Sequence, residues 1–142
     1  MGMARELFLD TSYVVAAASV RDRHHREALE WGARLQEGQT RLVTTRGVLF
    51  EVGNALARPA SRVQAASYLM AVEKDPAVMI VEATPERFAQ ALRLYSERPD
   101  KEWGLVDCLS FVVMEEHGLW AALTADDHFR QAGFRALLLE EA

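Results

Sequence analysis

Four carboxylates stand out in this 142-residue chain by their surroundings. Asp10 directly follows Leu7-Phe8-Leu9, and Asp126 follows Leu123-Thr124-Ala125. Asp107 opens the most apolar segment of the chain. Glu51 lies beside an apolar helical stripe, three residues after Val48 and four before Ala55. An ionised carboxylate next to a core needs a compensating partner. No Lys or Arg is close to Asp107 in sequence (Lys101 is the nearest), and none lies in the four residues before Asp10. Gathered together, such acids would repel and raise one another's pKa unless a cation sat among them. An oxygen-only donor set, with no His or Cys set beside it, suits Mg²⁺ or Mn²⁺ rather than zinc. That chemistry fits any phosphoryl-transfer site. Each acid also has a plainer reading. Asp10, Asp107 and Asp126 precede helical segments, where Asp is a favoured N-cap worth about 1 kcal/mol. Glu51 alone reads as a solvated helix residue.

Other chemistries fit less well. There is no Gly-rich phosphate loop or dinucleotide fingerprint, and no serine nucleophile elbow. A haloacid-dehalogenase-type phosphatase would need a second Asp at position 12, which is Ser. His24-His25, His117 and His128 lack metal-ligand spacing, and His128 reads as a solvated helix residue. Cys108 is the single cysteine, which excludes an internal disulfide and reads as inert core. Trp31, Trp103 and Trp120 have no stacking-platform spacing, so core or partner contact is the expectation for them.

Composition bounds the rest. Half of the residues are hydrophobic, 26% are charged and the net charge is −5. That is the balance of a globular domain and excludes intrinsic disorder. Net acidity argues against non-specific coating of nucleic acid. No apolar run approaches a membrane span, and the N-terminal apolar run is too short for a signal peptide. The expected compartment is the cytoplasm. Of the 16 basic residues only Lys74 and Lys101 are lysines. Arginine is the better fork for phosphate, but a general bias toward arginine explains the count equally simply.

The elements that must position the acids are legible as alternation. Short apolar runs near 6–9, 42–45, 78–81, 120–124 and 135–139 read as strands. Between them, helical spacing covers Thr11 to Ser19, Arg23 to Gln36, Arg46 to Arg58 (ended by Pro59), Ser61 to Glu73, Thr84 to Glu97, Val106 to Glu116 and Asp126 to Ala132. Gly118 and Gly133 stand where helix-terminating glycines belong. Such β-α-β alternation predicts one domain over residues 1–142, a three-layer α/β/α sandwich with about five mainly parallel strands. Ligands of such sheets bind beyond the carboxyl ends of the strands, where Asp10 and Asp126 stand.

Four segments together carry a family resemblance. They are Leu9-Asp10-Thr11-Ser12; Thr44-Thr45 leading to Glu51-Val52-Gly53-Asn54-Ala55-Leu56; Trp103-Gly104-Leu105-Val106-Asp107-Cys108-Leu109-Ser110-Phe111; and Leu123-Thr124-Ala125-Asp126-Asp127-His128-Phe129. In this order and spacing, closed by Phe129-Arg130-Gln131-Ala132-Gly133-Phe134, the chain resembles the PIN domain family. The likeness is nearest to its small stand-alone VapC-type members, the toxins of bacterial toxin–antitoxin pairs. The resemblance implies a metal-dependent endoribonuclease using Mg²⁺ or Mn²⁺. Asp10, Glu51, Asp107 and Asp126 would be its catalytic, metal-holding acids. Ser12 and Thr124 would be hydroxyl supports of that cluster, or simple caps of backbone groups. Two positions depart from the family pattern. Val106 replaces a small polar residue before the third acid. Asp127 adds an acid beside Asp126, and the spacing after Thr124 favours Asp126 as the one facing the metal.

The resemblance also implies an RNA substrate, a homodimer and a small VapB-type antitoxin. That partner would lay its C-terminal segment over helices at about 23–37 and 46–73 and bring an Arg or Lys to the acids. Trp31 and Tyr68 are candidate anchors for the segment, or core residues of the monomer. Two other readings share the same features: a PIN nuclease without antitoxin, and a non-catalytic PIN-fold regulatory module.

Overall fold

The computed structural model describes residues 6–140. Thirteen elements follow one another along the chain: β1 (Glu6–Leu9), α1 (Thr11–Ala18), α2 (His25–Gly38), β2 (Arg41–Thr45), α3 (Arg46–Ala55), α4 (Pro59–Lys74), β3 (Val78–Val81), α5 (Pro85–Glu97), α6 (Leu105–Glu116), β4 (Ala121–Leu123), α7 (Asp127–Gln131), β5 (Arg135–Ala136) and a closing 3₁₀ turn, Leu137–Leu139. The strands form one parallel sheet in the order β3-β2-β1-β4-β5. This is the expected three-layer α/β/α architecture. Successive side chains of a strand point to opposite faces, and Leu7, Phe8 and Leu9 are all buried. Both faces of the central strand are therefore covered, as a parallel sheet requires.

The order of the strands creates the site. From β1 the chain moves outward to β2 and β3, then returns to the other side of β1 for β4 and β5. The crevice between β1 and β4 is thus the switch point at which ligands of open α/β sheets bind. The register sets Leu9 beside Leu123, and the Asp10 N–H donates to the Leu123 carbonyl at 3.2 Å. The residues that follow each strand, Asp10 and Thr124, are neighbours for that reason.

Several boundaries differ from the sequence reading by a few residues, and three of them have a clear local physical reason. The helix expected to run to Arg58 stops at Ala55, and Pro59 opens α4 instead of ending α3. Proline lacks the N–H that would have no partner in a first helical turn, so that position suits it. The last strand is two residues long and gives way to the 3₁₀ turn. The Leu138 N–H still reaches the Thr124 carbonyl at 3.1 Å, so the segment stays attached to the end of β4. The second helix begins at His25, two residues late, because the Asp22 carboxylate takes the His24 N–H at 2.8 Å in a turn. Gly118 ends α6 at φ 67°, a backbone setting that side chains resist.

The short helix α7 is too brief to hold itself by propensity. Phe129 anchors it. Its fully buried ring lies 6.2 Å from Phe8 and 5.0 Å, edge-on, from Phe111. Phe111 in turn meets Trp103 and Phe134. Trp103 and Cys108 are core, whereas Trp120 packs on Phe134 and remains 63% exposed. Burial pushes the Cys108 thiol up to about 11, consistent with an unreactive residue. Phe129→Ala should lower unfolding stability by about 3–5 kcal/mol and loosen the segment that carries Asp126 and His128. Urea unfolding checks this; a loss below about 1 kcal/mol would show that the ring does not hold α7 in place.

Candidate metal centre

Each acid reaches the crevice from its own element. Asp10 ends β1 and caps α1. It is 4% exposed. Its Oδ2 accepts from the Thr124 hydroxyl at 2.7 Å, the Ser12 hydroxyl at 3.0 Å and, more weakly, the Ser12 N–H at 3.4 Å. The Ser12 and Thr124 hydroxyls lie 2.9 Å apart, and they also take the N–H groups of Ala125 and Asp126. The support and capping readings of these two hydroxyls are therefore both realised. Glu51 projects from α3, and its Oε1 accepts from the Thr11 hydroxyl at 2.9 Å. Asp107 lies in the first turn of α6, where its Oδ2 accepts from the Gly104 N–H at 3.1 Å. Asp126 caps α7 by accepting from the His128 N–H at 2.9 Å.

These four acids line one open cleft of about 640 Å³, together with Ser12, Asp22, Asn54, His24 and His128. Among the described residues no Lys or Arg lines it. Asp127 turns away: its carboxylate pairs with Arg130 at 3.3 Å and accepts from the Gln131 amide at 3.2 Å. Of the two adjacent acids, Asp126 faces the cleft. Val106 is partly buried against the core and is not among the residues lining the cleft, and the buried Ser110 hydroxyl on the same helix donates to the Val106 carbonyl.

Two histidines belong here that the sequence reading set aside. His128 is no solvated residue. Its Nδ1 lies 3.1 Å from Asp107 Oδ2 and 3.3 Å from Asp126 Oδ1. One ligand atom from each of these three residues falls within 4.8 Å of the others. His24 and Asp22 enter from the turn before α2, a turn pinned where His25 Nδ1 meets the Ala16 carbonyl at 2.8 Å. Nothing in their spacing marks them; only the path of the turn does.

The electrostatics match a site built for a cation. Burial pushes the Asp10 carboxyl up to about 6, against the hydroxyl hydrogen bonds that lower it, and Asp107 adds repulsion. Burial also raises Glu51 and Asp107 above the usual carboxylate range, and repulsion from Asp126 adds to both. Oxygen donors in this number, partly desolvated and with no Lys or Arg among the described residues of the cleft, fit a divalent ion.

The wider likeness agrees. The PIN domain family model matches residues 7–135. The chain is 28% identical over 129 residues to the 23S rRNA-specific endonuclease VapC20 of Mycobacterium tuberculosis, in the strains CDC 1551 / Oshkosh and H37Rv. The match covers 90% of this chain and 95% of the relative. The crystal structure of that VapC20, described as a Sarcin-Ricin loop cleaving toxin, superposes with a TM-score of 0.78 at 29% identity, again over 90% of this chain and 95% of the other.

A pH prediction follows from Asp10. Its folded pKa of about 6 lies above the ordinary 3.8, so the fold favours the protonated acid. This contribution is full below about pH 4 and is lost as pH rises through about 6. In chelator, Asp10→Asn should match the wild type near pH 4 and exceed it above pH 7 by about 3 kcal/mol, since the amide oxygen still accepts from Thr124. Chemical unfolding across pH 4–8 checks this. A wild-type-to-variant difference that stays flat with pH would contradict it.

With the fold, the cleft and the match over residues 7–135 taken together, this chain belongs to the PIN domain family.

Proposed function

We propose that the chain is a divalent-metal-dependent endoribonuclease and the toxin of a type II toxin–antitoxin pair. The observation that carries the reading is the convergence of Asp10, Glu51, Asp107 and Asp126 on one cleft at the β1/β4 switch point, with no Lys or Arg among the described residues that line it. Their oxygens would hold Mg²⁺ or Mn²⁺. When bound, such an ion supplies charge stabilisation at the phosphoryl oxygens and lowers the pKa of water.

The chain's own residues do the rest. Ser12 and Thr124 fix the Asp10 carboxylate in one orientation, so it need not reorganise when a phosphodiester arrives. Thr11 holds Glu51 by one oxygen, which leaves the other free to ligate or to accept a proton from an attacking water. Asp107 sits in the first turn of α6, where the helix dipole favours its ionised form. Asp126, fixed as the cap of α7, completes the donor set.

RNA is the proposed substrate, supported by the family and by the relative named as a 23S rRNA-specific endonuclease. Ribosomal RNA is therefore the first substrate to offer. The proposed partner is a small VapB-type antitoxin that brings an Arg or Lys into the acidic cleft in a charge-assisted contact. An apolar groove of about 490 Å³ between α1, α2 and α4 would receive its C-terminal segment. Tyr68 lines that groove. Trp31 does not; it is half-buried elsewhere on α2 with the Arg34 guanidinium 4.9 Å from its ring. A homodimer and a cytoplasmic location complete the proposal. No helix among the described residues is long and apolar enough to cross a membrane.

Purified chain incubated with ribosomal RNA should cleave it in Mg²⁺ or Mn²⁺ and stop in chelator. Asp107→Asn should lower cleavage by at least about a thousandfold, a barrier increase of roughly 4 kcal/mol, with the fold intact by circular dichroism. Asp127→Asn should cleave like the wild type. Full cleavage by Asp107→Asn, or cleavage indifferent to chelator, would remove the metal from the account. For the partner, expression of this chain alone should arrest bacterial growth, and co-expression of a small protein encoded beside it should restore growth and copurify. No arrest and no complex would leave a nuclease without antitoxin.

A further inference from the structure

Around an octahedral ion with bonds of 2.0–2.1 Å, adjacent ligand atoms stand about 2.8–3.0 Å apart. The Nδ1 of His128 is 3.1 Å from Asp107 Oδ2 and 3.3 Å from Asp126 Oδ1. These are within a few tenths of an ångström of the separations of neighbouring corners on one coordination sphere, and all three donor atoms lie within 4.8 Å of one another. An imidazole nitrogen carries at most one proton. A single hydrogen bonds Asp107 and cannot serve Asp126 equally, whereas one ion between the three atoms would take both oxygens and the nitrogen lone pair. The backbone that carries the ring is fixed. The His128 N–H is committed to Asp126 Oδ1, and the next residue, Phe129, is buried against Phe8 and Phe111.

Resting on the nuclease reading above, we propose that His128 Nδ1 is itself a ligand of the metal, so that the donor set is mixed nitrogen and oxygen. The tautomer required carries its proton on Nε2. An imidazole ligand strengthens binding of transition-metal ions more than of Mg²⁺, which prefers oxygen and keeps its waters. The site accordingly selects Mn²⁺ over Mg²⁺, and His128 sets that preference. This departs from the oxygen-only donor set that the sequence alone led to.

Electron spin-echo envelope modulation of the full chain loaded with Mn²⁺ reads a directly bound imidazole as ¹⁴N modulation, independently of any cleavage assay. The wild type should show it. His128→Asn should lose it and bind Mn²⁺ about tenfold more weakly by calorimetry, with Mg²⁺ affinity changed by less than about threefold. His128→Asp, which restores an oxygen donor, should bind both ions without the ¹⁴N signal. His24→Asn, altering the other imidazole of the cleft, should keep the signal. Mn²⁺ bound to the wild type without ¹⁴N modulation would overturn the proposal while leaving the nuclease reading standing. So would modulation that survives in His128→Asn. Failure of the wild type to bind Mn²⁺ at all would overturn both.

Discussion

The carboxylate of Asp10 is buried at the end of the central strand, and everything around it is arranged to keep it there. Burial of an acid without a cationic side chain is costly, and the fold offsets the cost only in part. The Ser12 and Thr124 hydroxyls hold one oxygen, and the same hydroxyls secure the backbone of Ala125 and Asp126. Thus the strand end that carries Asp10 and the one that leads to Asp126 are tied by a single small network. The β1–β4 pairing places those two ends side by side. Without that network Asp10 would be strained and α7 untethered on one side. With it, the negative charge stays in place for a cation to neutralise.

Capping and metal chemistry are usually offered as rival accounts of an acid at a helix start. Here a capping role leaves the same residues facing the cleft, so the two are compatible. Asp10 and Asp126 cap α1 and α7, and Asp107 takes an N–H in the first turn of α6. A cap fixes the carboxylate against the backbone, which removes the conformational freedom that a flexible ligand would lose on binding metal. Glu51 lies inside a helix and cannot be fixed that way, and a side chain from another element, Thr11, holds it instead. The outer surface uses ordinary pairs, such as Arg46 with Glu73 and Glu82, or Arg87 with Glu116, and none of these cations enters the cleft.

Sheet type, element order and the four acids were legible because each leaves a strong local mark. The marks are an apolar run closed by an acid, a Thr-Pro helix start, and an acid near the start of a largely apolar helix. What was not legible depends on geometry too short or too indirect for periodicity. Helix α7 has five residues, so the turn that swings Asp127 outward and His128 inward covers less than two helical periods. Asp22 and His24 reach the cleft through an irregular turn. Pro59 reads equally as the end of one helix or the start of the next, and only the missing turn after Ala55 decides. Trp31 and Tyr68 lie on helices that flank the groove, but which face of each helix meets it depends on how α1, α2 and α4 pack.

Anomalous diffraction from a crystal of the chain soaked in Mn²⁺ tests the central claim most directly, because it locates the ion without reference to any substrate. The account predicts a peak in the cleft at the β1/β4 switch point, within about 2.0–2.3 Å of oxygens from Asp10, Asp107 or Asp126. A peak bound elsewhere on the surface, or a cleft without manganese at millimolar soak, would contradict it.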